Sequence, residues 1–379
     1  MSVTAPVGFT ATGVAAGHAP DGAPDLALVV NEGPRLAAAG VFTTNRVKGA
    51  PVLWTEQVLR GGAVAAVLVD AGCANACTGP PGFQDAHAVV EHTARLLDRD
   101  AARVALAATG PMGVRPALDR LLPGVEAAAA RLSEFGGDRA ARAIMTTDTQ
   151  PKTAAVRGGD GAGWTVGGMA KGGPMLAPSL ATLLVVLTTD ADLPAPELAR
   201  ALRAATRVTF ERIDADAVAS PNDTVLLLAS GASGTAPDPG EFDEAVRAVC
   251  ADLARQLVKD AEGATKEIAV EVTGAADEEQ ALTVARAVAR DPLVKAALRA
   301  EDPAWPRVAA AAGASGAPVE PHRLAVAING VQVCRDGAPA EDAAAVDLRF
   351  REVRLAVDLG AGDRSASLWT TDWAAGAAR

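Results

Sequence analysis

The pattern of apolar and polar positions changes between two periods along the chain. Short runs rich in Val and Leu, typical of buried strands, are separated by longer segments in which apolar residues recur every three or four positions, typical of helices. The predicted strands are 26–30, 64–69, 104–108, 164–169, 183–188, 224–228, 267–273, 324–328, 351–358 and 365–370. The predicted helices are 84–97, 125–132, 139–145, 197–205, 241–258 and 278–290. This alternation predicts a mixed α and β protein with buried sheets.

Residues 351–358, with the sequence REVRLAVD, alternate polar and apolar side chains with a period of two. Such alternation is typical of a strand with one buried and one solvated face, the usual arrangement in antiparallel sheets. Composition predicts loops at the glycine-rich residues 158–163 and at residues 231–240, which contain two prolines.

The composition excludes several classes of protein. Of the 379 residues, 49% are hydrophobic and only 3% are aromatic, so the core must be built from Ala, Val and Leu. A net charge of -11 disfavours binding to nucleic acids and to anionic lipids. No apolar run approaches the roughly 20 residues of a membrane helix, and residues 1–16 lack the pattern of a signal peptide. We therefore expect a cytoplasmic protein without a nucleic-acid or membrane partner.

Cysteines and histidines number four each and are scattered along the chain. Because no CxxC pair or closely spaced set of histidines is present, we expect neither a disulfide framework nor a metal site. The chemistry must then come from hydroxyls, amines, carboxylates and backbone groups.

The most unusual segment is GGMAKGGPMLAPSLAT, residues 167–182, which directly precedes the apolar run LLVVL. Its glycines and prolines predict a constrained loop, neither helix nor continued strand, that delivers Thr182 to the start of a buried strand. One interpretation is a tight connection between strands. The other is self-cleavage, in which the Thr182 hydroxyl attacks the Ala181 carbonyl and water opens the resulting ester. The freed amine, with a pKa of about 7.7–8.0, would then act as the base for its own hydroxyl.

This segment resembles the processing site of the ornithine acetyltransferase family, which has the pattern Lys-Gly-x-Gly-Met-x-x-Pro-x-x-Ala-Thr. The matching residues are Lys171, Gly172, Met175, Pro178, Ala181 and Thr182, whereas Pro174 replaces a family glycine. Further stretches resemble the family in its order between residue 8 and about residue 372. They are GFTATGVAAG, VVNEGPRLAAAGVFTTNRVKGAPV, ANACTGPPGFQDAH, IMTTDTQPKTA, NDTVLLLASG, DAEGATK, AINGVQVC and LWTTD.

The resemblance implies a fold and a division of the chain. The implied fold is α+β, a four-layer αββα sandwich of the ornithine acetyltransferase and self-processing aminopeptidase type. Self-cleavage would leave an α segment, residues 1–181, and a β segment, residues 182–379, that begins with the nucleophile Thr182. Both segments would build one catalytic unit within an α2β2 or larger assembly.

The resemblance also implies an activity, the ping-pong transfer of an acyl group, acetyl in the family, from N-acetylornithine to glutamate without a cofactor. Thr182 would carry the acyl group, and Thr109 and Gly110 match the pair that stabilises the oxyanion. The residues that match substrate contacts are Thr149, Lys171 and Glu262. Without the resemblance, Thr109 and Gly110 would be interpreted as a strand-end turn, and Lys171 and Glu262 as solvated charges.

Several positions depart from the family. Asp70 stands where the family usually has asparagine, residues 215–219 replace a more polar segment, and WTTDWAAGAAR stands in place of a tail that holds substrate. Asn75 and Asn222 are expected to do no more than form turns. Three alternatives therefore stay open: a relative with another amine acceptor or acyl donor, an amidohydrolase using the same nucleophile, and a non-catalytic relative that never matures.

Overall fold

The computed structural model describes residues 2–19, 22–159, 163–172, 183–215 and 219–372. These residues divide into two compact units. The first contains the described residues up to 172 together with 183–211 and 219–260, and the second contains 212–215 and 261–372. Within the described ranges, no helix combines the length and the apolar character needed to cross a lipid bilayer.

The first unit contains nine strands and six α-helices among its described residues. The strands are β1 (Phe9–Val14), β2 (Leu26–Asn31), β3 (Ala37–Phe42), β4 (Ala66–Asp70), β5 (Val104–Ala108), β6 (Lys152–Gly158), β7 (Trp164–Lys171), β8 (Leu184–Thr189) and β9 (Thr224–Ala229). The helices are α1 (Ala50–Leu59), α2 (Gly79–Leu97), α3 (Leu118–Ala129), α4 (Gly137–Ala143), α5 (Ala195–Val208) and α6 (Pro239–Lys259).

These strands form two sheets. One has the order β1-β2-β4-β5, with β4 and β5 parallel and the other neighbours antiparallel. The other has the order β3-β9-β8-β7-β6, with β8 and β9 parallel and the other neighbours antiparallel. Because both sheets contain parallel neighbours, the carboxyl ends of β4 and β5 lie side by side, and so do those of β8 and β9.

The two sheets pack face to face with helices outside them. Val29 and Val69 of the first sheet share a core with Val186 and Leu226 of the second. On its other face the first sheet packs against α2 and α3, and the second sheet packs against α5 and α6. Burial of these apolar faces is the main stabilising contribution to such layers. The predicted α+β class and four-layer αββα sandwich are confirmed in this unit.

The second unit is one mixed sheet with helices. Its elements are β10 (Glu267–Ala275), α7 (Glu278–Arg290), α8 (Pro292–Arg299), α9 (Trp305–Gly313), β11 (Ala325–Ile328), β12 (Val331–Arg335), β13 (Ala338–Pro339), β14 (Glu352–Asp358) and β15 (Arg364–Thr371). The strand order is β13-β12-β11-β14-β10-β15. Strand β14 shows the predicted alternation of buried and exposed side chains, but it is antiparallel only to β11 and runs parallel to β10.

The division into units follows contacts within the folded chain. The predicted α segment, residues 1–181, and β segment, residues 182–379, are instead the fragments that a cleavage would leave. That division stays a prediction.

Candidate active site

Thr109 and Gly110 directly follow the carboxyl end of β5. The Thr109 N–H donates to the backbone carbonyl of Asp70 at the end of β4 over 2.9 Å, and the Thr109 side chain is buried. Gly110 has a φ of 129°, and a Cβ there would come within 2.8 Å of the Gly72 carbonyl carbon. The position therefore requires glycine. The predicted oxyanion pair thus lies at a strand end in a backbone conformation that a side chain would disrupt.

Asn222 does more than form a turn, so that expectation is wrong. Its amide Nδ2 donates to the Ala74 carbonyl over 2.6 Å and to the Ala108 carbonyl over 2.8 Å, and the residue is 1% exposed. These partners lie more than 100 residues away in the chain. Asn222 therefore ties the loop after β4 and the end of β5 to the start of β9.

Asn75 has the expected local role. Its φ of 48° places it in the left-handed region that asparagine tolerates. Its Oδ1 accepts the Thr78 hydroxyl over 2.7 Å, and its Nδ2 donates to the Gly82 carbonyl over 2.8 Å. These bonds close the turn before α2.

The predicted loop over residues 167–182 begins later than expected, because β7 continues to Lys171. The connection to β8 lies mainly in residues 173–182, and these residues, including Pro174, Ala181 and Thr182, are outside the described ranges. Its described flanks are held by two aspartates. The Gly172 N–H donates to Asp148 Oδ1 over 3.1 Å, and the Leu183 N–H donates to Asp223 Oδ1 over 2.9 Å.

Lys171, at the end of β7, is 1% exposed. Its burial lowers the pKa of its ammonium to about 8, against the opposing effect of the Asp148 carboxylate. The charge of Lys152 lowers that pKa further, and the charge of Asp223 acts to raise it. A lysine with such a pKa is partly neutral near neutral pH, so it can give or accept a proton.

Asp223 faces the same buried region. Burial raises its pKa well above the ordinary value, although hydrogen bonds from the Leu183 and Ser220 backbone and the charge of Lys171 oppose the shift. Its second oxygen, Oδ2, has no hydrogen-bond partner within the described part of the chain. The sequence motif NDT included this residue, but only as part of the resemblance.

Thr149 belongs to a network of charged side chains. Its N–H donates to Asp260 Oδ2 over 2.8 Å, and its hydroxyl donates to Asp260 Oδ1. The Lys152 ammonium lies 2.6 Å from Asp148 Oδ1 and 2.5 Å from Asp260 Oδ2. Since Asp148 also holds Gly172, the network connects Thr149 with the end of β7, where Lys171 lies. The structure therefore brings two of the three predicted substrate contacts into one polar cluster.

Glu262 lies in the second unit. It is exposed, in the turn between α6 and β10. Its contact with substrate stays a prediction.

Asp70 is buried at the end of β4, where the family usually has asparagine. Its Oδ1 accepts the Gly72 N–H over 2.8 Å. Burial raises the pKa of Asp70 to about 6, while the nearby His18 and the Gly72 N–H lower it and Asp25 raises it further. Gly72 in turn packs against Gly110. The departure at residue 70 therefore lies directly behind the predicted oxyanion pair.

The structure is thus a layered α+β protein that carries, at the ends of its strands, hydroxyl, lysine and carboxylate groups of the kind that acyl transfer needs. A sequence model of the ArgJ family matches residues 10–376. The chain belongs to the ArgJ family and is an acyltransferase that moves an acyl group between amino acids.

Individual relatives are similar to the chain over nearly its whole length. The chain is 62% identical to the arginine biosynthesis bifunctional protein ArgJ of Streptomyces avermitilis, over 98% of this chain and 96% of that protein. It is 60% identical to the protein of the same name from Streptomyces coelicolor, over the same shares. It is also similar to a solved structure, ornithine acetyltransferase complexed with ornithine from Mycobacterium tuberculosis. That match has 54% identity and a TM-score of 0.46, and it covers 48% of this chain and 96% of that one.

These relatives bear on the alternatives that the sequence left open. The high identity extends over nearly the whole of both chains and joins this protein to arginine-biosynthesis enzymes. This identity does not favour an amidohydrolase or a relative with a different amine acceptor or acyl donor.

Proposed function

We propose that this enzyme takes the acetyl group of N-acetylornithine onto Thr182 and passes it to glutamate. The proposal rests on the hydrogen bonds that the adjacent residues Asn222 and Asp223 make. Asn222 holds the carbonyl of Ala108, the residue before Thr109, and Asp223 holds the N–H of Leu183, the residue after Thr182. Two adjacent residues thus anchor the neighbours of the predicted oxyanion pair and of the predicted nucleophile.

The proposed chemistry needs only groups of this chain. Self-cleavage between Ala181 and Thr182 frees the Thr182 amine, which takes the proton of its own hydroxyl as the oxygen attacks the acyl carbon. The Thr109 hydroxyl and the Gly110 N–H stabilise the oxyanion, and collapse of the intermediate leaves an ester on Thr182 and expels the first amine, which takes the proton held by the Thr182 amine. The amine of glutamate then attacks this ester and gives a proton to the Thr182 amine, which passes it to the departing Thr182 oxygen as the acetyl group leaves on glutamate.

The remaining predicted residues bind the amino-acid part of the substrate. Thr149, Lys171 and Glu262 supply a hydroxyl, a cation and a carboxylate, a set suited to a substrate that carries both charges. We further propose that residues 1–181 and 182–379 stay together after cleavage in an α2β2 or larger assembly in the cytoplasm. No cofactor takes part in this scheme.

The test is the formation of N-acetylglutamate from N-acetylornithine and glutamate, with acetate release measured in parallel. We expect transfer in the wild type and a fall in kcat of about 100- to 1000-fold for Thr109→Ala, the usual effect of losing one oxyanion donor. Acetate released at a rate independent of glutamate, without N-acetylglutamate, would instead establish a hydrolase.

A further inference from the structure

The hydroxyl of Thr149 has its only proton committed inside the protein. Thr149 is exposed, yet its Oγ1 lies within hydrogen-bond distance of Asp260 Oδ1, and its own N–H donates to Asp260 Oδ2 over 2.8 Å. An ionised carboxylate can only accept hydrogen bonds, and a hydroxyl has one proton to give. Oγ1 must therefore be the donor to Asp260, and only its lone pairs face outward.

The surrounding charges keep Asp260 ionised. Burial acts to raise the pKa of this carboxyl, but hydrogen bonds from Lys152 and Thr149 and the charge of Lys152 outweigh it, so the net pKa lies below the ordinary value. At neutral pH the carboxyl is thus ionised and can only accept hydrogen bonds.

The geometry of Asp260 is also fixed. Lys152 is 2% exposed, and its ammonium bridges Asp260 Oδ2 and Asp148 Oδ1 while donating to the Gln150 carbonyl over 3.1 Å. If Asp260 turned away from Thr149, a buried ammonium would lose one of its two carboxylates, which is costly. The direction of the hydrogen bond between Thr149 and Asp260 is therefore set by the protein before any substrate arrives.

We infer that Thr149 meets the substrate as a hydrogen-bond acceptor, so that it selects an N–H donor, the amide or the amine of the N-acyl amino acid, and not the carboxylate. Asp260 and Lys152 are the positioning residues that fix this polarity. The inference deepens the proposed function, since it assumes that Thr149 contacts the amino-acid substrate.

Substrate analogues that each lack one polar group test the inference. The probes are N-acetylornithine, N-acetylnorvaline without the side-chain amine, the ester analogue without the amide N–H, and N-acetylornithine carboxamide without the carboxylate. With N-acetylornithine, Thr149→Val should lower kcat/KM by about 10- to 100-fold, and Thr149→Ser, which keeps the acceptor, by less than about threefold. The fall in kcat/KM caused by Thr149→Val should vanish with the ester or with the norvaline analogue, and it should persist with the carboxamide.

Two results would overturn it. A penalty that vanishes only for the carboxamide would make Thr149 a donor to the carboxylate. Equal penalties with all four probes would mean that Thr149 meets none of these groups. If the wild type transfers no acetyl group at all, the proposed function fails instead. Failure of the inference about Thr149 and failure of the proposed function are therefore distinguishable.

The positioning role of Asp260 has its own test. Asp260→Asn supplies an amide that can donate to Thr149 Oγ1 and so reverse the direction of the hydrogen bond between the two residues. It should lower kcat/KM for N-acetylornithine as Thr149→Val does, and the double variant should be no worse than either single one. Asp252→Asn, on the helix that ends just before Asp260 and paired with Arg255 at the surface, is the control and should not change kcat/KM. Additive losses, or wild-type kcat/KM in Asp260→Asn, would show that Asp260 does not act through Thr149.

Discussion

Asn222 is a single residue on which the proposed arrangement of the site depends. Its amide satisfies two buried carbonyls, those of Ala74 and Ala108, from two different loops. A side chain without donors would leave both carbonyls unpaired in the interior, where each unsatisfied group carries a penalty.

Replacing Asn222 with alanine should lower both stability and activity. We expect the free energy of unfolding to fall by about 2–4 kcal/mol, because two buried acceptors lose their donor. We also expect kcat to fall more than tenfold, on the order of one displaced oxyanion donor, since Ala108 precedes Thr109. Denaturant unfolding and acetyl-transfer kinetics measure the two effects. Asn45→Ala, which removes a half-buried amide bonded to the Ala219 carbonyl, should leave kcat unchanged. An unchanged kcat in a folded Asn222→Ala protein would contradict the anchoring role.

Asp70 gives the stability a dependence on pH. Its pKa of about 6 in the folded protein lies above the ordinary value of 3.8, so folding favours the protonated carboxyl. The unfolded chain ionises this group near pH 4 and the folded chain near pH 6. Stability from Asp70 is thus fully present below pH 4 and is lost as the pH rises to 6.

Asp70→Asn should remove the loss of stability between pH 4 and pH 6. The asparagine Oδ1 can still accept the Gly72 N–H, so the variant should gain stability relative to the wild type between pH 4 and 6. Above pH 6 the gain in the free energy of unfolding should stay constant at about 3 kcal/mol. Unfolding free energies at closely spaced pH values measure it, and a wild-type to variant difference that stays constant from pH 4 to 8 would exclude this titration.

The residues of the site differ in how far the sequence reveals them. Thr109, Gly110, Thr149 and Lys171 stand in motifs, so similarity to the family was enough to select them. Asp260 follows the last turn of a long amphipathic helix with no pattern of its own, and its bonds to Thr149 span 111 residues. Such a partnership depends on tertiary folding, which local sequence does not encode.

Among the elements, β7 is the strand on which two predictions overlap, since the apolar pattern predicts a strand over 164–169 and the glycines predict a loop from residue 167. The strand continues to Lys171, and its glycines are needed because neighbouring elements approach it closely. A Cβ at Gly168 would lie 2.6 Å from Leu187 Cδ2 and 3.1 Å from Leu253 Cδ1 of α6, and one at Gly167 would lie 2.3 Å from the Ser2 carbonyl oxygen. Glycine within a strand marks such close approaches as well as turns.

Gly168→Ala should therefore destabilise the protein. The added methyl group has to displace side chains from both β8 and α6, and overpacking of this kind costs about 1–3 kcal/mol. Gly313→Ala at the exposed end of α9 is the matched control, because a Cβ there meets nothing within 4 Å. It should be neutral or stabilise by up to about 1 kcal/mol. Thermal unfolding compares the two, and equal effects would refute the packing argument.

Other elements escaped prediction for reasons of composition. Strands β1 and β3, with the sequences FTATGV and AAAGVF, contain small residues that give little strand signal. The helices α8 and α9 are short, so few apolar positions repeat within them. By contrast, all ten predicted strands exist, and helix 278–290 has the predicted bounds, because long runs with a clear period leave little ambiguity.

For the whole chain, the pattern of apolar residues predicts the layers of the fold better than it predicts which strands pair with one another. Buried strands flanked by amphipathic helices favour a layered α+β fold, and the first unit confirms the four-layer arrangement. The separate six-stranded unit was not predicted, because periodicity specifies which faces are buried and not which sheet a strand joins.

The proposed mechanism requires Thr182 as the nucleophile of a self-cleaved enzyme. The most direct measurement is the intact mass of the denatured protein after incubation with N-acetylornithine, beside Thr182→Ala treated in the same way. We predict two fragments that divide between Ala181 and Thr182, an added acetyl group on the fragment that begins with Thr182, and an uncut, unmodified variant. A single uncut chain in both samples, or a cut wild type that never carries the acetyl group, would contradict this mechanism.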